Sequence, residues 1–299
     1  MRTSVVVIGG GQAGLAMSWW LNRSGVDHVV LERGEVAQSW RTRRWNSLRL
    51  LTPNWMNRLP GQDGNGDDPE GFLSATEVVG LLSGYARSFA APVRPHTTVV
   101  GVQRTVSGFH VDTGDGPWRC RAVVVATGTE AESRVPALAR EINGDLQQLT
   151  ALGYRGPGQV APGAVLVVGA SASGVQIADE LRRAGRPVTL AVGDHVRVPR
   201  TYRGRDIYRW LDELGILDEG YGEVDDLLRA RRLPSLQLIG TPQRHSVDLA
   251  ALSAAGVRLT GRLVGIASGR AQFSGSLANF IKAADLKQTR LLERIDAHV

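Results

Sequence analysis

Two segments of the chain show the same order of apolar and small residues. Val5 to Ile8 is an unbroken run of β-formers that gives way to GGGQAG and then to the apolar-rich LAMSWWL. Val165 to Val168 runs in the same manner into GASASG and the helical VQIADEL. A short apolar run, a small-residue loop and a helix, in that order, open a β-α-β unit. After the first copy, DHVVLE predicts a second strand ending in Glu32, and after the second copy VTLAV predicts another. Between the copies TTVVGVQRT, FHVDT and PWRCRAVVVA alternate as a three-stranded meander, with turns at Ser107-Gly108 and at Gly114-Asp115-Gly116. Ser74 and Glu77 make a capping box that opens a helix carrying Val78, Leu81, Leu82 and Tyr85. Near the end, Phe280, Ile281, Ala284, Leu291, Leu292 and Ile295 suit one face of an amphipathic helix. The pattern predicts an α/β protein with two Rossmann-like, three-layer dinucleotide-binding domains, residues 1–150 and 151–275, and a C-terminal helix over 276–299. The proline-bearing stretch 129–163 reads as their connection.

The loops carry the candidate chemistry. Gly9, Gly11 and Gly14 form a full G-x-G-x-x-G, and Glu32 stands about 20 residues further on, at the end of the next strand. Such glycines let the backbone turn tightly and approach a pyrophosphate seated on the helix N-terminus, while the acid takes a pair of ribose hydroxyls. In the second copy Gly169, Ser171 and Gly174 hold the matching places. Ser171 adds a Cβ at the closest approach and a hydroxyl able to donate to phosphate, so both a binding loop and a turn without ligand stay open. The same stretch comes close to the G-x-S-x-G of a hydrolase, but Ser173 stands at the last position and only single histidines, His195 and His245, are at hand. A nucleotide loop is the better reading.

Composition narrows the classes. Apolar content of 42% and charged content of 21% belong to a globular chain. No apolar run approaches the ~18 residues of a membrane span, and the N-terminus breaks into glycines where a signal peptide would stay apolar, so a cytoplasmic protein is expected. Cys120 is the single cysteine, which excludes a redox disulfide within the chain. The net charge of +6 rests almost wholly on arginine, with Lys282 and Lys287 the only lysines. No nucleic-acid-binding motif accompanies it, so neither nucleic acid nor membrane is an expected partner. Asp63, Asn65 and Asp67 imitate the start of a calcium loop, but Asp68 and Ser74 replace its glycine and final carboxylate, and the histidines lack metal spacing. No metal is expected. Trp19 and Trp20 are expected in the core, and Trp40, Trp45 and Trp55 around a pocket.

GGGQAG with Glu32, the Ser39-Trp40 pair, RWNSLRLLTPNWMNRLP, VVVATGT and VVGASASG follow one another in an order that resembles the class B flavin-dependent monooxygenases. The resemblance implies FAD on the first loop and NADPH on the second. For FAD it implies Gly9, Gly11, Gln12, Ala13, Gly14, Glu32, Arg33, Ser39, Trp40, Arg41, Leu50, Thr52, Val99, Ala126, Thr127 and Gly128. For NADPH it implies Gly169, Ser171, Ser173, Gly174 and Gln176. Gly193 stands where the family often has a strand-end arginine for the 2′-phosphate, which leaves Arg197 and Arg200 as substitutes. Leu51 and Thr150 stand where the family has an asparagine and a histidine, and no catalytic side chain is singled out. The implied activity is transfer of one atom of molecular oxygen to a small organic substrate through a C4a-hydroperoxyflavin, and a homo-oligomer stays open. Relatives run on to a further segment that returns to the flavin. Its absence from these 299 residues leads to the expectation of weakly held flavin and uncoupled NADPH oxidation, or of a non-catalytic nucleotide-binding remnant.

Overall fold

The computed structural model describes residues 1–62, 68–128 and 132–299. Asp63, Asn65 and Asp67 of the calcium-like loop, and Thr129 at the end of VVVATGT, lie outside the described residues.

The first apolar run is β1 (Val5–Ile8), which leads into α1 (Gln12–Arg23) and β2 (His28–Leu31). After the short α2 (Gln38–Thr42), α3 (Ala75–Ser88) starts from the capping box, in which Ser74 and Glu77 each receive the other's backbone N–H. β3 (Val93–Arg94) follows, then the meander β4 (Val99–Thr105), β5 (Gly108–Thr113) and β6 (Trp118–Cys120), then β7 (Ala122–Val125). The first parallel sheet has the order β3-β2-β1-β7, with Val5 opposite His28 on one side and Ala122 on the other. The meander forms its own antiparallel sheet, β4-β5-β6, whose Val111, Trp118 and Cys120 close a small core with Val6, Val29 and Leu31.

The second copy repeats the plan. β8 (Val165–Val168), α4 (Ala172–Arg183) and β9 (Val188–Ala191) lead through the hairpin β10 (Thr201–Tyr202) and β11 (Arg205–Asp206) to α5 (Ile207–Glu213). Then come α6 (Leu227–Ala230), α7 (Leu249–Ala254), β12 (Arg258–Thr260), the hairpin β13 (Leu263–Ala267) and β14 (Arg270–Phe273), and α8 (Leu277–His298). The second parallel sheet is β12-β9-β8. Val165 faces Val188 and Val168 faces Ala191, the register in which Val5 meets His28 and Ile8 meets Leu31. Gly9 donates its N–H to Leu31 O at 2.8 Å, and Gly169 donates to Ala191 O at 3.0 Å. The two copies therefore superpose residue by residue, with Val192 in the place of Glu32 and Gly193 in the place of Arg33.

α8 packs as its amphipathic pattern predicts. Ile295 is buried with Leu211, Trp210 and Leu238, and Leu51, Trp55 and Met56 of the first half pack on the same cluster. Trp19 packs on the α1–α3 core, but Trp20 is 54% exposed, contrary to the expectation of a core residue. The faces of adjacent helical positions diverge by about 100°, so α1 could bury only one of the pair. No described helix is long and apolar enough to cross a membrane.

Candidate functional site

The three glycines of the first loop do different work. Gly14 is glycine because a Cβ there would stand 1.9 Å from Gly9 O, so the crossing of helix and loop admits no side chain. Gly9 has φ +111°, and a Cβ on it would lie 2.4 Å from Ala126 O. Gly11 is the contrast. Its φ of −90° suits any residue, and among the described residues no atom lies within 4 Å of where its Cβ would be. Packing among the described residues therefore does not account for the missing side chain, and the loop leaves room there for the close approach of a ligand. Gly11 is also the N-cap of α1 and, lacking a side chain, makes no side-chain cap bond, and the first turn carries no acid. The loop is a helix N-terminus open to an anion.

Glu32 completes this end of the sheet. It is buried, and its carboxylate accepts the Gly10 N–H at 2.6 Å and the Gly34 N–H at 3.0 Å. Each oxygen keeps lone pairs beyond those two bonds, enough for the hydroxyls of a ribose. On the other side Ala126 donates its N–H to Ile8 O at 2.9 Å, which brings Ala126, Thr127 and Gly128 beside the loop; Gly128 takes φ +80°. Gln12 and Ala13 lie exposed in the first turn of α1, and Arg33 is exposed past β2. α2 hangs from the loop, since Ala37 donates its N–H to Gly10 O at 3.1 Å, and this brings Ser39 close in sequence to that anchor. Trp40 packs on the α1–α3 core, and Arg41 donates to Val36 O and Ser83 Oγ. Leu50 and Thr52 belong to a strip that runs on toward the second half. Leu50 donates its N–H to Leu73 O, its carbonyl abuts Gly240, and Thr52 donates to Asn57 Oδ1. Val99 lies half-buried in β4 against the meander core. Trp45 is buried beside Tyr154 rather than lining an open pocket.

The second loop keeps the steric logic of the first. A Cβ on Gly174 would fall 1.8 Å from Gly169 O, while Gly169, at φ +103°, faces open space. Ser171 is the N-cap of α4 and its side chain makes no cap bond, so the hydroxyl is not consumed by the helix. Ser173 is exposed and Gln176 half-buried on α4. Sequence reasoning missed Gln237, a buried amide that donates Nε2–H to Ala170 O of this loop at 2.5 Å while its Oε1 has no partner among the described residues. It also missed Glu180 of α4, whose carboxylate accepts from both Ser47 Oγ and Tyr154 OH at 2.7 Å and ties the two halves together. Burial, and then the carboxylate that its hydroxyl faces, push the Tyr154 phenol well above its ordinary range.

Arg197 and Arg200, expected to meet the 2′-phosphate, are both held by acids. Arg197 donates to Asp285 at 2.6 Å and to Asp248 at 2.7 Å. Arg200 is 1% exposed, with Nε and one terminal nitrogen on the two oxygens of Asp206 and the other on Leu51 O. A guanidinium without exposed surface cannot receive a phosphate. Arg203 and Arg205 are likewise paired, with Asp296 and Glu213.

The pyridine nucleotide-disulphide oxidoreductase family pattern matches residues 6–210. An uncharacterized CzcO-like oxidoreductase of Geobacillus kaustophilus is 36% identical over 216 residues, covering 72% of this chain and 61% of the relative. The indole-3-pyruvate monooxygenase YUCCA6 of Arabidopsis thaliana is 29% identical over 228 residues, 69% of this chain and 52% of its own. The chain thus spans between half and two thirds of the length of these curated relatives. Among solved structures, a variant of the flavin monooxygenase from Stenotrophomonas maltophilia shares the fold with a TM-score of 0.68 at 24% identity, covering 91% of this chain and 74% of that one. Cys120, the single cysteine, is buried in β6, so the disulfide in the family's name has no counterpart within this sequence. Two strand–loop–helix copies in matching register, covered from Val6 to Trp210 by one family pattern, show that the chain belongs to the pyridine nucleotide-disulphide oxidoreductase family.

Proposed function

We propose that the chain binds FAD on the Gly9–Gly14 loop and NADPH on the Gly169–Gly174 loop, and that it serves an NADPH-dependent monooxygenation of a small organic molecule. The observation that carries the reading is Gly11: an unstrained residue without a side chain, at the mouth of an open helix N-terminus, beside a carboxylate already oriented by two backbone N–H groups. The named activities of similar proteins, flavin monooxygenase and indole-3-pyruvate monooxygenase, support the choice of reaction.

FAD supplies, when bound, the redox chemistry: uptake of a hydride and delivery of electrons to oxygen. The chain's own residues bind and orient. The α1 N-terminus would hold the FAD pyrophosphate, and Glu32 would accept from the ribose hydroxyls of its adenosine half. The α4 N-terminus would hold the NADPH pyrophosphate, and the Ser171 hydroxyl, not used as a helix cap, would donate to it. Glu180, held by Ser47 and Tyr154, fixes α4 against the first half, so the two loops keep a set relation. With FAD supplied, the full chain is expected to consume oxygen when NADPH is added, releasing most of the electrons as hydrogen peroxide and giving little product from a panel of sulfides, amines and ketones. Following NADPH loss, oxygen, peroxide and product together checks this. A folded, FAD-loaded chain that leaves NADPH untouched contradicts it.

A further inference from the structure

The register of the second sheet removes the acid that would read an unphosphorylated ribose. Val192 occupies the place of Glu32 and is wholly buried. The next residue, Gly193, occupies the place of the exposed Arg33, at the end of β9, where the adenine-side ribose of a nucleotide on the second loop comes to lie. Gly193 is not glycine for conformational reasons, since its φ is outside the left-handed region. A guanidinium lies close to it, near enough that a side chain there would make the arginine shift. A Cβ there would be 3.2 Å from Arg262 Nε and 3.5 Å from one of its terminal nitrogens.

Arg262 reaches this place from the turn between β12 and β13. β12 pairs with β9 so that Thr260 faces Ala191, and Val192 donates its N–H to Thr260 O at 2.9 Å. Two residues beyond each of these positions stand Arg262 and Gly193. The Arg262 carbonyl accepts the Ser274 N–H at 2.9 Å, which fixes its backbone, and the Phe280 ring lies 5.5 Å from its guanidinium carbon. Its ion pair is with Asp194 at 2.9 Å, with side-chain exposures of 54% and 67%. A pair so open to water is weak and is readily exchanged for a doubly charged phosphate. The fit is a planar guanidinium, half exposed, held at the strand end where a 2′-phosphate would lie and where no acid of Glu32 type stands.

We infer that Arg262 is the residue that selects the 2′-phosphorylated nucleotide, taking from the turn between β12 and β13 a role that the buried Arg200 cannot fill. The inference rests on the proposed use of the second loop for NADPH. Asp194 is then a placeholder that holds the guanidinium until phosphate arrives, not a ribose reader.

The test is calorimetric titration of the FAD-supplied full chain with NADP+ and, separately, NAD+, so the readout is binding and not turnover. Arg262→Ala is expected to weaken NADP+ roughly 10- to 100-fold, the worth of charged hydrogen bonds to one phosphate, and to leave NAD+ within about twofold. Arg262→Lys should fall between, because it keeps the charge without the fork. Asp194→Asn should retain NAD+ affinity and bind NADP+ at least as well as the unaltered chain. Equal losses for both nucleotides in Arg262→Ala, no loss for NADP+, or a selective loss of NAD+ in Asp194→Asn would each overturn the assignment while leaving the second loop a nucleotide site. An unaltered, folded chain that binds neither nucleotide overturns the loop reading and the assignment with it.

Discussion

Replacing Arg200 with alanine is expected to destabilise the chain by about 3–5 kcal/mol, the range for breaking a buried ion pair from one side. The guanidinium and the Asp206 carboxylate that it grips have side-chain exposures of 1% and 7%. Two of its nitrogens meet the two Asp206 oxygens at 2.9 and 2.7 Å, and the third donates to Leu51 O at 2.7 Å. Its faces lie against the rings of Phe72, at 4.7 Å, and Tyr208, at 5.4 Å. Leu51 and Phe72 come from the first half, Asp206 and Tyr208 from the hairpin and helix of the second. Alanine would leave a buried carboxylate without its countercharge, a carbonyl without its donor, and a gap between two aromatic rings. Asp206 would keep only the Tyr208 N–H that it accepts as the N-cap of α5. Denaturant unfolding measures the loss. The double variant Arg200→Met with Asp206→Asn should recover part of it, because it removes the unpaired charge and refills the space. A loss under about 1 kcal/mol in Arg200→Ala would show that the pair is dispensable to the fold.

Gly11→Val should act in the opposite way, leaving the fold intact and removing FAD. The backbone at Gly11, φ −90° and ψ −169°, is open to a β-branched residue, and no atom of the described residues lies within 4 Å of the new Cβ. Unfolding should shift by no more than about 1 kcal/mol, the difference between a glycine and a poor N-cap. The valine methyls, however, would fill the space through which a pyrophosphate approaches the α1 N–H groups, and FAD affinity should fall about 100-fold or more. Flavin retained after gel filtration, read from its absorbance, checks the second claim, and thermal unfolding checks the first. Undiminished FAD binding would show that the cofactor does not sit on this loop. Gly14 offers no such separation, because any side chain there meets Gly9 O.

What was legible in the sequence was local. Strand, loop and helix of each copy lie within 20 residues of one another, so the apolar period, the glycine spacing and Glu32 could be read along the chain. The meander and the Ser74 cap were legible for the same reason. The arginines were not. Arg200 finds Asp206 nearby, but its other partner, Leu51, is 149 residues away, and Arg197 pairs with Asp285 across 88. An arginine close in sequence to a nucleotide loop looks available until its distant carboxylates are in place. Gln237 and Arg262 were invisible for the complementary reason, since each reaches the second loop or its strand end from a segment remote in sequence. Gly193 illustrates both sides. In the sequence it was a missing arginine; in the structure it is the space that another arginine uses.

The most direct measurement is a titration of the flavin-free full chain with FAD and with NADP+, each alone and then in the presence of the other. Two independent loops predict one FAD and one NADP+ per chain, bound together, with Gly11→Val losing the first and Arg262→Ala weakening the second. Displacement of FAD by NADP+ from a single shared site, or a folded chain that takes up neither, would contradict the account.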